Sequence, residues 1–320
     1  SLIDGTLSSS GHVFLLNQNG VVFGDTAKVN VAGLVASAAG YTYDRSLHEQ
    51  GTYLFDATGQ TSAVAVAAGA VLTAAGPIIL LGSKVTNNGT IQSTAGAVNL
   101  FGSEVVNGGS IIADAGIITL QAGTAAMLDY SGESSPVLVA DPVLQAGHGV
   151  ISHTGVMQAE AIHIRSPYQA TAINVGGRVM AGSLLELSQG GGAMTLAGSL
   201  SSGDQVSIDS GTGSVTQTGG ALAAPELLLA TEGGGQATPP PLYAARSVSL
   251  SSATNAISAI SGDVAGDFEL VNSADDGQVE QLNVGGALTV NATGTLALTS
   301  VKVGGDLTAK GKGITQTGTL

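Results

Sequence analysis

Acidic residues are the side chains in this chain with the most evident capacity for chemistry. Carboxylates perform general acid–base catalysis or bind calcium when several of them converge on one face. No Lys or Arg lies between Arg246 and Lys302, so a charge-balanced catalytic cleft is difficult to build in that stretch. We therefore predict a solvated or loosely cation-binding surface for the densest acidic group, which comprises Asp263, Asp267, Glu269, Asp275, Asp276 and Glu280.

Histidine and cysteine give no stronger indication of a catalytic or metal-binding site. The spacing of His148, His153 and His163 rarely converges on one metal ion in a strand-rich chain, so we predict solvated surface histidines. The absence of cysteine excludes a thiol nucleophile, thiolate metal sites and disulfides. Phosphate-loop, zinc-helix and G-x-S-x-G motifs are also missing. The sequence thus predicts no enzyme, no catalytic residue, no metal and no cofactor.

The unusual amino-acid composition limits the kinds of structure that can position these residues. The 320 residues include 48 Gly and 43% hydrophobic residues, but only 10% are charged, and the net charge is −14. Such a chain is too apolar for disorder and too acidic for a nucleic-acid partner. The uncharged stretch from Ala57 to Ser83 contains Gly and Pro interruptions, and its pattern recurs in less apolar sequence downstream, so we predict no transmembrane segment.

An internal repeat predicts the architecture. Residues 65–84, 85–104 and 105–124 align without gaps, and each unit reads as a strand, a Gly turn and a second strand. The apolar columns are Val71–Ile91–Ile111, Ile78–Val98–Ile118 and Leu80–Leu100–Leu120. A unit this short cannot bury its apolar face alone, whereas stacked copies can. We predict an all-β, right-handed parallel β-helix of about 20–22 residues per coil, with Leu100 facing inward; hairpins meandering in a sandwich are the weaker alternative.

The second half repeats more loosely. Apolar-x-apolar strand ends recur at Ile162–Ile164, Leu185–Leu187, Val206–Ile208, Leu227–Leu229, Val248–Leu250, Phe268–Leu270 and Leu288–Val290. We interpret them as one series of coils, interrupted by a Pro-rich surface excursion at 233–242.

Two features of the sequence are not explained by the apolar columns of the coils. Asn87 and Asn107 share a repeat position beside a Gly turn, where they either stack as a hydrogen-bonded ladder or only relax the turn. The aromatic-rich segment from Tyr41 to Phe55 is interpreted as an extra-helical hairpin or cap packing on the coils, with a partner-binding patch as the alternative.

A dense local motif occupies the N-terminus. Two short strands, residues 13–16 and 21–23, flank a tight turn of Asn17, Gln18, Asn19 and Gly20. Asn19 and Gly20 are the residues predicted to supply positive φ angles.

Residues 5–37 resemble the secretion domain of the filamentous haemagglutinin family, the exoproteins of two-partner secretion. The resemblance lies in Gly5-x-Leu7, Val13-Phe-Leu-x-Asn17-x-Asn19-Gly20, Val21-x-Phe23-Gly24 and Asn30-Val-x-Gly33-Leu-Val-Ala-Ser37. The segments Val85–Gly89 and Val105–Gly109 match the coil signature of that family. Gln18 replaces the proline of the family turn, and Ala32 replaces a glycine. The family carries a capping segment before this motif, so Ser1 is expected to begin inside the secretion domain.

The resemblance implies export through the periplasm of a Gram-negative bacterium. The implied partner is an outer-membrane barrel transporter with periplasmic recognition domains, and a host glycan or protein receptor would follow at the cell surface. Asn17, Gln18, Asn19 and Gly20 are the candidate export-recognition residues; the alternative is a turn needed only for folding.

The overall prediction is an adhesin-like exoprotein, secreted or exposed at the cell surface. Residues 1–128 would be the C-terminal part of the secretion domain, 129–148 an irregular connection and 149–320 a β-helical shaft. A β-helical carbohydrate-active enzyme or an autotransporter passenger is the alternative.

Overall fold

The structure is a computed structural model that describes residues 1–42, 51–129, 137–140, 149–166, 172–229 and 247–318. Every regular element in these ranges is a β-strand, and none of them is a helix of the length and hydrophobicity that a membrane span requires. The all-β prediction is confirmed. The chain divides into two compact units, Ser1–Tyr168 and Gln169–Leu320.

The described residues of the first unit form twenty strands. They are β1 Leu2–Ile3, β2 Thr6–Ser8, β3 His12–Leu16, β4 Val21–Phe23, β5 Lys28–Val31, β6 Gly33–Ser37, β7 Gly40–Thr42, β8 Thr52–Asp56, β9 Ala63–Val66, β10 Val71–Ala74, β11 Ile78–Leu81, β12 Lys84–Asn87, β13 Thr90–Ser93, β14 Val98–Gly102, β15 Glu104–Asn107, β16 Ser110–Ala122, β17 Ala125–Asp129, β18 Val137–Ala140, β19 Val150–His153 and β20 Val156–Ser166.

The strands of the first unit stack as the parallel β-helix that the repeat predicts. One face is the parallel series β1-β4-β9-β12-β15-β19. A second face stacks β2, β5, β10 and β13, and a third stacks β3, β6, β11 and β14. In the last coils these two faces merge into the long strands β16 and β20. The apolar stretch from Ala57 to Ser83 forms β9, β10 and β11 rather than a membrane segment.

The pairing register explains both a success and an error of the repeat alignment. Leu80 pairs with Leu100 and Leu100 with Leu120, all three fully buried, so the inward assignment of Leu100 is confirmed. By contrast, Leu72 and not Val71 pairs with Ile91 in the core. Leu72 lies 19 residues before Ile91 rather than 20, and a shift of one residue turns a strand over.

Two insertions into the coils build a separate antiparallel sheet, in the order β18-β17-β8-β7. Tyr41 of β7 pairs with Phe55 of β8, which confirms the extra-helical hairpin. Phe55 and Leu128 pack with Ile79, Leu81 and Phe101, which point outward from β11 and β14. Strands β6 and β11 are therefore buried on both faces, which explains their continuous apolar sequence. Within segment 129–148, residues 137–140 form β18 because β17 offers them an antiparallel edge.

Sixteen strands lie in the part of the second unit that the structure describes. They are β21 Ala172–Val175, β22 Arg178–Gln189, β23 Ala193–Leu196, β24 Ser199–Ser202, β25 Gln205–Asp209, β26 Ser214–Gln217, β27 Ala221–Leu229, β28 Val248–Leu250, β29 Ala256–Val264, β30 Phe268–Asn272, β31 Asp276–Val284, β32 Leu288–Ala292, β33 Thr295–Thr299, β34 Lys302–Val303, β35 Leu307–Lys310 and β36 Gly313–Thr317.

This unit is also a stack of parallel coils, but not the single series that the sequence predicts. Leu227 pairs with Ile260, whereas Val248 belongs to another face and pairs with Val215 and Phe268. The spacing of 21 residues between Leu227 and Val248 is therefore a coincidence. Paired core residues are 33 positions apart here, at Leu227–Ile260 and Val215–Val248, instead of the 21 between Val206 and Leu227. The predicted excursion at 233–242 lies outside the described residues.

A ladder of buried polar side chains runs inside the first unit. Asn87, Asn107 and His153 each end a strand of the same face and are fully buried. Asn87 Nδ2 donates to Asn107 Oδ1 at 2.9 Å, and Asn107 Nδ2 lies 3.0 Å from His153 Nδ1. Gly89 N–H also donates to Asn87 Oδ1 at 3.1 Å, so Asn87 both stacks and supports its turn. The prediction of a solvated His153 is wrong because it occupies the inward coil position of the two asparagines.

Candidate functional site

The segment Asn17–Gly20 is a corner of the β-helix rather than the loop of a hairpin. It follows β3, which pairs with β6, and it precedes β4, which pairs with β1 and β9. The two strands that flank it therefore belong to different faces of the coil. The corner redirects the chain from one parallel sheet to the next, so its shape decides where β4 begins.

Hydrogen bonds inside the corner explain its shape. Gly20 N–H donates to Asn17 O at 2.8 Å, and Asn19 N–H donates to Asn17 Oδ1 at 3.0 Å. Gly20 has a φ of 104°, as predicted, and a Cβ there would lie 3.1 Å from Ala63 O. Asn19 does not have a positive φ, contrary to the prediction. The Asn17 side chain already bends the chain at this point, so only Gly20 needs the left-handed region.

Ser1, the residue before β1, holds the corner by hydrogen bonds. Asn17 Nδ2 donates to Ser1 Oγ at 2.9 Å, the Ser1 nitrogen donates to Gly20 O at 2.6 Å, and Val22 N–H donates to Ser1 O at 2.8 Å. Sequence reasoning missed this role of Ser1. The available signal was the distance of 20 residues between Leu2 and its partner Val22, which equals the coil period of the later repeats.

The four predicted recognition residues therefore fall into two classes. Asn17 is half-buried with both polar side-chain atoms engaged, and Gly20 is buried. Gln18 and Asn19 are exposed, and within the described part of the chain their side chains make no hydrogen bond. The corner brings all four residues together, but only Gln18 and Asn19 present polar side-chain atoms that a partner could bind without breaking the corner.

The acidic group does not converge on one point. Asp263 accepts from Asn283 Nδ2 at 2.6 Å, Glu269 from Ser249 Oγ at 2.9 Å, and Asp267 from the Ala287 N–H at 2.8 Å. Each of these bonds joins neighbouring coils. Their carboxylates thus serve as links between coils on separate columns of the surface.

An open trough of about 650 Å³ lies on the second unit and includes Glu280 of the acidic group in its lining. Its lining is Ser183, Leu184, Asp204, Gln205, Pro225, Glu226, Ala259 and Glu280. Gln205 Nε2 donates to Glu226 Oε2 at 3.0 Å, and the lining contains no basic residue. The trough therefore offers carboxylates without the nearby cation that a balanced acid–base site would place beside them.

The histidines do not assemble a metal site in the part of the chain that the structure describes, where no three His, Asp or Glu side chains are grouped to hold an ion. His12 and His163 are half-buried, and His163 Nδ1 lies 3.0 Å from a terminal guanidinium nitrogen of Arg165. His48, His148, Glu133 and Asp141 lie outside the described residues.

Comparisons with known proteins agree with this architecture. A family model described as "TPS secretion domain" matches residues 1–166, just over half of the chain. Among solved structures, the HMW1 secretion domain from Haemophilus influenzae superposes with a TM-score of 0.51 at 16% sequence identity, covering 98% of this chain and 82% of that one. No curated protein matches. The likeness to the solved structure shows the β-helical fold.

The family match carries the functional information. A TPS secretion domain implies export by two-partner secretion across the outer membrane of a Gram-negative bacterium, with an outer-membrane transporter as the partner. The match includes the Asn17–Gly20 corner, the extra-helical sheet and every coil of the first unit. With its first 166 residues matched and its strands stacked as a parallel β-helix, the chain belongs to the TPS secretion domain family.

Proposed function

We propose that this chain is the export-directing part and the beginning of the shaft of an adhesin-like exoprotein, secreted or displayed at the bacterial surface. The observation that carries the proposal is the family match over the coils that include the Asn17–Gly20 corner. Export would be directed by residues 1–166, and adhesion to a host glycan or protein would reside in the shaft. The narrower division into 1–128, 129–148 and 149–320 stays a prediction.

We propose further that the periplasmic domains of the transporter recognise the Asn17–Gly20 corner. Its support is geometric: the corner projects Gln18 and Asn19 into solvent while Asn17 and Gly20 hold their backbone. Amide side chains that lack internal partners can donate to and accept from a partner's backbone, which gives specificity without a buried charge.

We propose that the chain is not an enzyme. Asp263, Asp267 and Glu269 of the acidic group are used to join coils. The trough of the second unit, which Glu280 lines, has no basic residue in its lining. Within each unit the parallel coils provide a regular surface, which suits adhesion and spacing better than turnover.

Binding to the purified periplasmic region of the transporter tests the recognition proposal. The double variant Asn17→Ala with Asn19→Ala is compared with the parent, and refolding from urea is followed in parallel. Loss of binding by a variant that refolds supports recognition of the corner. Retention of binding by the variant, or loss of binding and refolding together, contradicts it; the second result would make the corner a folding element.

A further inference from the structure

The trough of the second unit follows the stacking direction of the coils. Leu184 of β22 pairs with Gln205 of β25, which pairs in turn with Glu226 of β27. Glu226 also pairs with Ala259 of β29, and all four residues line the trough. Neighbouring strands of a sheet lie about 4.8 Å apart, so these four positions extend over about 14 Å. A trough built from one residue per coil suits an extended ligand whose units repeat along its length.

The carboxylates of the trough are available to a ligand. Asp204 and Glu280 are exposed, and their carboxylates make no hydrogen bond within the described residues. Glu226 accepts through Oε2 from Gln205 Nε2 at 3.0 Å, which leaves its Oε1 without a partner in the same ranges. By contrast, the carboxylate of Asp263, outside the trough, is bound to a neighbouring coil. The trough therefore holds hydrogen-bond acceptors that the fold itself does not use.

The size and lining of the trough favour a small polar ligand over a protein surface. Its volume of about 650 Å³ lies in the range of clefts that hold small molecules, whereas a protein partner typically covers about 800 Å² of surface. Leu184, Pro225 and Ala259 add apolar surface beside the polar groups. A carboxylate accepts hydrogen bonds from two neighbouring hydroxyl groups, and an apolar side chain covers the C–H groups of a ring. Sugar rings combine these two kinds of surface.

The charge of the trough restricts the kind of sugar. Its lining includes the carboxylates of Asp204, Glu226 and Glu280 and no basic residue. The whole chain also has a net charge of −14. A sulfated or sialylated glycan would bring further negative charge to this region and would be repelled. The ligand that fits both the polar lining and the charge is an oligosaccharide without acidic groups.

We propose that the trough binds a neutral linear oligosaccharide along the stacked coils. Asp204, Glu226 and Glu280 accept hydrogen bonds from its hydroxyl groups, and Gln205 holds the Glu226 carboxylate in place. Pro225 and its apolar neighbours contact the faces of the sugar rings. This inference rests on the proposed function, since it names the class of glycan that the shaft binds and the surface that binds it.

A glycan array of neutral, sialylated and sulfated oligosaccharides, probed with the purified full-length parent, tests the proposal. The parent should bind neutral linear oligosaccharides in preference to the acidic ones. Asp204→Ala with Glu226→Ala should weaken this binding at least about tenfold, because each change removes an acceptor for hydroxyl groups. The matched control is Asp275→Ala with Asp306→Ala, which removes the same charge from exposed residues of the second unit outside the trough lining. The control should bind as the parent does.

Thermal midpoints separate a loss of binding from a loss of folding. Both double variants should keep the midpoint of the parent. Asp204→Ala alone changes only an exposed side chain and should still weaken binding, so it decides the question if the double variant does not fold.

Three array results overturn the inference: no binding of neutral oligosaccharides by the parent, a preference for acidic ones, or equal binding by the parent and the trough variants. An equal loss in the control also overturns it, because net charge and not the trough would then be the cause. Dependence of export on the transporter is measured separately on the same parent. If the parent is exported without the transporter, the proposed function fails; if it needs the transporter but the trough variants bind as the parent does, only this inference fails.

Discussion

Asn107 Nδ2 lies 3.0 Å from His153 Nδ1 inside the first unit, and the neighbouring contacts decide which atom is the donor. Gly89 N–H donates to Asn87 Oδ1, so Asn87 Nδ2 must point at Asn107 Oδ1. Asn107 then presents its NH2 group to His153. Nδ1 of His153 is consequently the acceptor, and the neutral imidazole carries its proton on Nε2.

The first prediction concerns this imidazole. ¹⁵N chemical shifts should show the Nε2–H tautomer of His153 in the folded chain at neutral pH. His153→Ala should lower the free energy of unfolding by about 1–3 kcal/mol, because it leaves a buried donor of Asn107 without a partner. Ser152→Ala, on the outward side of the same strand, is the control and should change little. A protonated Nδ1 would contradict the orientation of the ladder.

The second prediction tests the stacked core. Leu100 is fully buried between Leu80 and Leu120, so Leu100→Asp places a carboxylate in the apolar column. We expect a loss of at least about 4 kcal/mol in urea unfolding and faster proteolysis of the first unit. Asn99→Asp, one residue earlier and only half-buried, should remain near the parent. Equal unfolding midpoints for the two variants would disprove the inward column.

The third prediction addresses the extra-helical sheet. Phe55 is 2% exposed and packs in the cluster with Ile79 and Phe101. Phe55→Ala should destabilise the chain by about 3–5 kcal/mol, since the cavity lies between two rigid sheets. Leu54→Ala, at a half-buried position of the same strand, should cost about 1 kcal/mol. A small effect of Phe55→Ala would mean that the sheet is not fastened to the coils through this side chain.

The fourth prediction distinguishes a residue that stabilises the corner from one that only a partner would contact. Asn17→Ala removes hydrogen bonds to Asn19 N–H and Ser1 Oγ and should lower the free energy of unfolding by about 1–3 kcal/mol. Gln18→Ala removes an exposed side chain and should leave stability within about 0.5 kcal/mol of the parent. Calorimetry of both variants checks this; equal midpoints would show that the Asn17 side chain does not hold the corner.

Much of the fold is predictable because stacked coils repeat the same physical problem. Gly turns, alternating apolar residues and a fixed period predict the parallel β-helix, and the aromatic segment predicts the hairpin. Alternation has a period of two, however, so a spacing of 19 instead of 20 residues between Leu72 and Ile91 was enough to put Val71 in the wrong column. The chain between β27 and β28 produced a second error, since Val248 fits the spacing of Leu227 but lies on another face.

The candidate site was predictable in position but not in its division of roles. The residue types of Asn17–Gly20 indicate a turn, yet only hydrogen bonds to Ser1 and within the corner distinguish Asn17 from Asn19. His153 was misjudged because histidine is usually found near water, although its place at the strand end, shared with Asn87 and Asn107, was visible in the sequence.

We propose that a dedicated outer-membrane transporter exports the protein. The most direct measurement compares the full-length parent in cells with and without that transporter, by quantifying the chain in the medium and at the cell surface. We predict export only when the transporter is present, with the chain retained and degraded in the periplasm otherwise. Equal amounts outside the cell in both strains would contradict the account and favour an autotransporter.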